Sequence, residues 1–453
     1  MKHQRNKVNI LLQTDVYKMG HMEQYNPDVE FIQSHLVVRN NLEYEEVVFF
    51  GLQYFILKYL SDFPTKDDVN EFILFYEIIL KRKCPDTVKE KLNALLALGY
   101  WPIKIRAIDE GEVHPSRGSI LMTIENTLPG FHWAVGFLEG LFLKIWNTST
   151  VATHSYNLKK LFLRYANLTG SNTDFIPYQV HDFGYRSVSS EETAALSGAA
   201  HLLAFRGTDT VPAVKLLHDY YPSNSDCLPN YGSSVPASEH SVMCSFGKER
   251  ELEAFRHMLK TYPTGIVSIV SDTYSLHNVL TNFALELKTE ILERNGKVVF
   301  RPDSGDPVST TVDAIMQLDT IFGSTRTPLG FRVLNEKVGV IFGEGMTDYR
   351  IQETLEILKR YNFASQNLVV GVGGLLLQQH TRDDMGFSFK ANWAKLKDGS
   401  EMALFKTSPG KKSHDLGYIR SSTFIRYEDV YIDGKLLKKH SIEDVRRTLF
   451  GTI

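Results

Sequence analysis

The sequence predicts an α/β protein whose later part is a parallel sheet closed into a barrel with helices outside. Two observations carry that prediction. From about residue 178 onward, short apolar runs (IPYQVHDFG, GIVSIVSD, KVVFRPDSG, VGVIFGEG and NLVVGVGG) each end in a polar or glycine-containing turn. Helical patterns lie between them: EETAALSGAAHLLAFR, ERELEAFRHMLKTY, SLHNVLTNFALELKTEILER, TVDAIMQLDTIF and YRIQETLEILKRY. Strand then helix, repeated, is the signature of parallel strands with crossover helices, and a barrel is its closed form.

The earlier part reads differently. VEFIQSHLVVR and YWPIKIRAID alternate like strands, whereas VNEFILFYEIILKRK and VKEKLNALLALG carry helical spacing, so residues 1–150 form an α+β region. A chain of 453 residues exceeds the usual single core, and 43% hydrophobic with 23% charged residues is the composition of a folded globular protein. A net charge of −3 spread over mixed signs offers no stripe for nucleic acid and no polybasic membrane patch. Cys84, Cys227 and Cys244 are odd in number and lack metal-ligand spacing, which suits a reducing cytoplasm and free thiols. MKHQRNKVNILLQTD has too short an apolar run for a signal peptide, and FHWAVGFLEGLFLKIW, interrupted by Glu139 and Lys144, is expected to be buried helix.

In a parallel barrel the chemistry sits past the C-terminal ends of the strands. Those positions hold Asp182, Phe183 and Arg186, then Asp272, Arg301 and Asp303, Gly343 and Glu344, and Gly371, Gly373 and Gly374. In RPDSGDP, a carboxylate at Asp303 can hold a divalent metal on a diphosphate, and the Arg301 fork can bind a planar amide or a phosphate. A plain Arg–Asp turn pair is the alternative, and Asp272 in SDTY, a second carboxylate on the rim, favours the metal-associated site. The glycines of VGVGGLLLQQ let backbone N–H groups approach a phosphate at a helix start, and TRDDMGFSFK adds Arg382, Ser388 and Lys390. In VHDFGYRSVSSEET, Phe183 is placed to stack on a flat ring, and Ser189 or Ser190 with a downstream acid opens a helix as a capping box. Asp209 in FRGTDTV either caps the next helix or accepts a hydrogen bond from a substrate amide. SVPASEHSVM sets Glu239 beside His240, as a solvated polar loop or as a histidine that does chemistry.

TDVYK, HDFGYR, GTDTV, SVPASEHS, SDTY, RPDSGDP, the double-glycine turn and TRDDMGFSFK occur in an order and spacing that resembles the nicotinamide phosphoribosyltransferases. The resemblance runs from about residue 9 to the final helical segment. It implies a type II phosphoribosyltransferase fold, an irregular α/β barrel (151–385) with an α+β domain built from both chain ends (1–150 and 386–453). It implies a homodimer with shared active sites, in which nicotinamide lies between Phe183 and Tyr17 of the other subunit. Asp209 would face the carboxamide with Arg301 nearby, and Asp15 would belong to the borrowed edge. Arg186, Asp272 and Asp303 would handle the ribose and pyrophosphate of phosphoribosyl pyrophosphate with Mg²⁺. Gly373, Gly374, Arg382, Ser388, Lys390 and Arg39 would hold the 5′-phosphate. His240 matches the histidine that takes a phosphoryl group from ATP, and Glu239 is the acid beside it.

The sequence departs from that pattern in three places. Gly343–Glu344 stands where glycine–aspartate is usual, Leu375 where a third glycine is usual, and the basic loop KTSPGKKSHD is short, with Lys411 and Lys412 as its remnant. All three fall on the donor or ATP side. A second reading is therefore a larger donor, such as ADP-ribose pyrophosphate, giving NAD directly. A catalytically silent binding protein would lack His240, Asp303 or Arg301, and all three are present. A nicotinate acceptor is opposed by the charge of Asp209.

Overall fold

The computed structural model describes residues 8–39, 44–225, 228–407, 416–420 and 426–451. The chain divides into two compact units, one of Met1–Thr153, Asp219–Asn224 and His380–Ile453, the other of His154–His218 and Ser225–Gln379.

The first unit is built on a seven-stranded sheet in the order Glu401–Ala403, Phe387–Leu396, Val29–Val38, Ser119–Asn126, Ile103–Ala107, Glu428–Ile432, Lys435–Leu436. Every neighbouring pair is antiparallel, and strands from both ends of the chain interleave. The two expected helices are Lys66–Leu80 and Asp86–Leu98; Thr65 and Asp68 cap the first reciprocally. FHWAVGFLEGLFLKIW supplies the short helices His132–Phe137 and Glu139–Leu143, which bury Trp133, Phe137, Leu141 and Phe142. Among the described residues no helix is long and apolar enough to cross a membrane.

Asp219–Asn224 belongs to this unit because its polar groups are satisfied here. The Tyr221 hydroxyl donates to the fully buried Glu110 carboxylate (2.8 Å), and Ser223 donates to Glu443 (2.6 Å). Burial pushes the Glu110 carboxyl up, and the charge of His440 with hydrogen bonds from Gln53, Gly51 and Tyr221 works against that rise.

The second unit carries the strand–helix alternation. Its main sheet has six strands, all parallel, in the order Gly207–Thr208, Val180–Asp182, Val369–Val372, Val338–Phe342, Asn295–Arg301, Thr264–Val270, and the short antiparallel pair Ser324–Arg326 and Arg332–Leu334 stands apart from it. The five apolar runs are five of these strands, with Glu191–Ala204, Glu251–Thr261, Pro307–Phe322 and Asp348–Arg360 among the helices between them. Ser190 caps Glu191–Ala204, but its side chain accepts from the Thr193 amide, so the expected box with an acid is absent. The long pattern SLHNVLTNFALELKTEILER is broken by a π-turn at Val279–Phe283.

The curled sheet is closed by an irregular segment. Ser233 bonds one edge, donating to Arg206 C=O (2.7 Å) and accepting from Thr208 N–H (3.0 Å). Three residues on, Pro236 C=O accepts from Ser268 N–H (2.9 Å) and Ser238 N–H donates to Ser268 C=O (3.0 Å), which reaches the opposite edge. Residues 233–238 thus complete the barrel by isolated parallel bridges instead of a full strand. This closure encloses a cavity of about 510 Å³, walled chiefly by aliphatic side chains such as Val299, Val338, Val340 and Val369.

Candidate functional site

At the C-terminal ends of the barrel strands, two turns converge on one buried carboxylate. Asp182 accepts from the Gly184 N–H (2.8 Å) and from the Thr208 hydroxyl (3.1 Å), and its carbonyl accepts from the Asp209 N–H (2.8 Å). It therefore fixes the turn that carries Phe183 and the turn that carries Asp209. Burial pushes this carboxyl up, and the bonds from Gly184 and Thr208 act in the opposite direction.

Phe183 is held by its own N–H on Val372 C=O (2.9 Å), and its ring lies directly against Gly371. Phe183, Asp209 and Arg301 all line the barrel cavity. Asp209 does not cap the following helix with its side chain: the Thr208 hydroxyl accepts from the Thr210 N–H, and the Asp209 carboxylate accepts from the Ser234 hydroxyl. The Arg301 guanidinium donates to Ser238 C=O (2.8 Å), while its Nε is buried with no partner among the described residues. Arg301 as a residue lines the cavity, and a buried N–H without a partner is a rare feature in a folded chain.

A second group lies around Asp272, whose side chain is 4% exposed. It accepts from His240 Nε2 (3.0 Å), Ser304 Oγ (2.5 Å) and the Asp303 N–H (3.0 Å). Burial works to raise this carboxyl, but the bonds from Ser304, His240 and Asp303 outweigh it and hold it below the usual carboxylate range. Because a carboxylate only accepts, His240 donates from Nε2. His240 opens the short helix His240–Cys244 with Glu239 as the preceding cap residue, and Ser241 donates to the Glu239 carboxylate. Gly343 follows the strand Val338–Phe342 beside the Asp303 carboxylate, Glu344 is exposed, and Arg350 holds the turn through Gly345 C=O (2.6 Å).

Barrel residues 183, 186, 209, 239, 240, 272, 301, 303, 343, 344, 373 and 374 of the expected set all fall in the second unit. Arg186 is exposed on the turn Tyr185–Ser187. Gly373 and Gly374 pack against Ser187, and the helix after them spans only Gly374–Leu377. The remaining expected residues lie in the first unit. Asp15 precedes the helix Val16–Met19 at its N-cap position without a side-chain capping bond, and Tyr17 on that helix is 56% exposed. Ser388 and Lys390 pair across the sheet with Val37 and His35, Arg39 donates to Gly386 C=O (3.2 Å), and Arg382 is paired with Asp383 (2.8 Å). Lys411 and Lys412 lie outside the described residues. Among the described residues no cluster of three or more His, Cys, Asp or Glu is arranged to hold a metal.

Sequence reasoning missed Ser234 and the double anchoring by Asp182. The hydroxyl run in YGSSVPASEHS is visible in the sequence, but its partner lies 25 residues upstream. Asp182 reads as one more strand-end residue until its bonds to both turns are seen.

Residues 178–428 match the nicotinate phosphoribosyltransferase family, and residues 9–87 match the N-terminal domain of nicotinamide phosphoribosyltransferase. Among curated proteins, the chain is 35% identical to a nicotinamide phosphoribosyltransferase of Acinetobacter baylyi, over 98% of this chain and 97% of that one. It is 34% identical to the nicotinamide phosphoribosyltransferase of Xanthomonas campestris, over 97% of each. Among solved structures, human nicotinic acid phosphoribosyltransferase aligns with a TM-score of 0.58 at 16% identity, covering 96% of this chain and 92% of that one. Nicotinate-nucleotide pyrophosphorylase of Pyrococcus furiosus aligns with a TM-score of 0.56 at 14% identity, covering 99% and 97%.

Proposed function

The chain belongs to the nicotinate phosphoribosyltransferase family, and from that premise we propose that it moves the phosphoribosyl group of phosphoribosyl pyrophosphate onto nicotinamide. The products are nicotinamide mononucleotide and pyrophosphate, and the enzyme is a pentosyltransferase of NAD biosynthesis. The observation that carries nicotinamide over nicotinate is the Asp209 carboxylate beside Phe183 at the cavity. A carboxamide donates N–H to it, whereas a carboxylate acceptor is repelled.

The pyridine nitrogen of nicotinamide carries no proton, so no general base is required for its attack on the anomeric carbon. The chain's task is to position the ring, hold the donor in line and exclude water. Phe183 supplies a stacking face, Asp209 an acceptor for the carboxamide N–H, and the guanidinium of Arg301, which lines the same cavity, a donor for its carbonyl.

Asp303 is the carboxylate that would hold Mg²⁺ on the pyrophosphate. Asp272 is already engaged by three protein donors and serves to fix the Asp303 backbone. Mg²⁺ is ordinarily held by one or two carboxylates together with substrate phosphates and water, so this sparse donor set fits it. An ion held there would supply positive charge to stabilise the departing pyrophosphate.

ATP is read as a co-substrate through His240. The donated Nε2–H leaves Nδ1 as the nitrogen that accepts the phosphoryl group, and Asp272 would stabilise the ring as it becomes charged. The phosphoryl dianion beside Asp303 would alter how donor and pyrophosphate bind. Arg39, Arg382, Ser388, Lys390 and Lys411 are assigned to phosphates by resemblance. The exposure of Tyr17 supports a homodimer in which Tyr17 of the partner subunit covers the other face of the acceptor ring. The free thiols of Cys84 and Cys244 suit a reducing compartment such as the cytoplasm.

The test is mass spectrometry of products formed from phosphoribosyl pyrophosphate and Mg²⁺ with nicotinamide or nicotinate, each with and without ATP. Nicotinamide mononucleotide, with ATP stimulation that His240→Ala abolishes, is expected. Turnover of nicotinate alone would refute the acceptor assignment, and equal stimulation in His240→Ala would refute the phosphohistidine.

A further inference from the structure

Asp209 reads the acceptor only if its carboxylate points one way. Its backbone is fixed, since the Asp209 N–H donates to Asp182 C=O (2.8 Å), but its side chain is exposed and extends from a loop. A free aspartate there would divide its time among rotamers, and each binding event would have to order it. The Ser234 hydroxyl removes that freedom. It donates to Asp209 Oδ1, which leaves Oδ2 as the oxygen open to a ligand.

Ser234 can do this because its own position is imposed by barrel closure. Ser233, one residue earlier, is bonded on both sides to the strand edge that leads into Asp209: it donates to Arg206 C=O (2.7 Å) and accepts from Thr208 N–H (3.0 Å). Two residues after Ser234, Pro236 is bonded to the far edge of the sheet. Both Ser234 and Asp209 line the barrel cavity with Phe183.

We propose that Ser234 is a positioning residue for acceptor recognition: its hydroxyl holds Asp209 in the orientation in which the remaining carboxylate oxygen accepts the acceptor's carboxamide N–H. The proposal rests on the reading that nicotinamide is the acceptor. It assigns Ser234 to binding of the ring, apart from the donor and the bond-making step. Since Ser234 is exposed, its removal perturbs no core.

The experiment is steady-state kinetics of the full-length wild type, Ser234→Ala and Ser234→Thr, varying nicotinamide at saturating phosphoribosyl pyrophosphate and the reverse, with thermal melts of each. Ser234→Ala should raise the KM for nicotinamide about tenfold, the scale of a lost hydrogen bond to a charged group. The kcat at saturation, the KM for the donor and the Tm should stay at wild-type values, and Ser234→Thr, which keeps the hydroxyl, should recover most of the loss. A nicotinamide KM unchanged in Ser234→Ala, a defect confined to kcat, or a Ser234→Thr as impaired as Ser234→Ala overturns the assignment. A wild type that makes no nucleotide from nicotinamide overturns the acceptor reading and this assignment with it, whereas an active wild type with an unaltered Ser234→Ala overturns this assignment alone.

Discussion

Gly371→Ala should damage acceptor binding while leaving the donor side intact. Gly371 sits within the strand Val369–Val372 and not at a turn, so what it provides is room, not conformational freedom. A Cβ built on it would lie 2.1 Å from both Cδ2 and Cε2 of Phe183. Carbon atoms in good contact stand roughly 3.5–4.0 Å apart, so the ring must retreat by about 1.4 Å or more. The Phe183 backbone cannot make that move easily. Its N–H is bonded to Val372 C=O at 2.9 Å, and the next residue, Gly184, is bonded to Asp182 at 2.8 Å.

The ring must then rotate away from the position proposed for stacking on the acceptor. An aromatic stack is worth about 0.5–1.5 kcal/mol beyond its buried area, and a misplacement of about 1 Å in an active site costs up to about a hundredfold. The expected outcome is a rise of roughly 10- to 100-fold in the KM for nicotinamide, with the KM for phosphoribosyl pyrophosphate changed less than about threefold. Overpacking should cost about 1–3 kcal/mol of stability, read as a Tm lowered by a few degrees in a protein that still folds. Initial-rate kinetics with each substrate varied separately measure this. A folded Gly371→Ala with wild-type nicotinamide KM would refute the reasoning, because it would mean that the position of Phe183 is irrelevant to the acceptor.

Two further outcomes follow from the same structure. His201 is fully buried, with Nδ1 on the Ser155 hydroxyl (3.0 Å) and Nε2 on Val180 C=O (3.2 Å), and burial pulls it down to about 3. The unfolded chain takes up this proton near pH 6.5 and the folded chain does not, so its contribution is complete above pH 6.5 and shrinks as pH falls toward 3. At about 1.4 kcal/mol per pH unit, urea melts of the wild type should lose about 2 kcal/mol more between pH 6.5 and 5 than those of His201→Leu, and parallel pH slopes would contradict this. If Tyr17 is supplied by the partner subunit, mixing inactive Tyr17→Ala with inactive Asp303→Ala should restore roughly a quarter of wild-type activity by random reassortment of subunits. No recovery after verified subunit exchange would place both residues in one protomer's site.

The strand–helix alternation of the barrel was legible because its strands carry short apolar runs ended by turns and the stretches between them carry helical spacing. Parts of the barrel carry no such signature. Gly207–Thr208 is two residues long, too short for any period, and the closing segment 233–238 contains Pro236 and pairs only by isolated bridges. Nothing in its letters marks it as the piece that joins the two sheet edges. The helix expected over 275–294 was equally visible by spacing, but a π-turn breaks it where spacing cannot report.

The candidate site divides along the same line. Residues whose chemistry is intrinsic, such as Arg301, Asp303 and Asp272, could be singled out from type and position at strand ends, whereas His240, which opens a short helix, took its role from the family resemblance. Those that act by holding another residue could not. The glycines of VGVGG illustrate the difference: in sequence they suggest one device, backbone approach to a phosphate, whereas in the structure Gly371 clears space for the Phe183 ring while Gly373 and Gly374 pack on Ser187. Asp182 is hidden in the opposite way, since burial is the ordinary fate of a strand residue and only the bonds from Gly184, Thr208 and Asp209 reveal that one side chain and its carbonyl fix the turns of both Phe183 and Asp209. A contact that spans 25 residues and a barrel edge, as Ser234 to Asp209 does, exists only once the sheet has closed. If Asp209 reads the acceptor as proposed, its recognition depends on barrel closure as well as on the residues that touch the ring, and substitutions in the closing segment should be felt first in nicotinamide affinity.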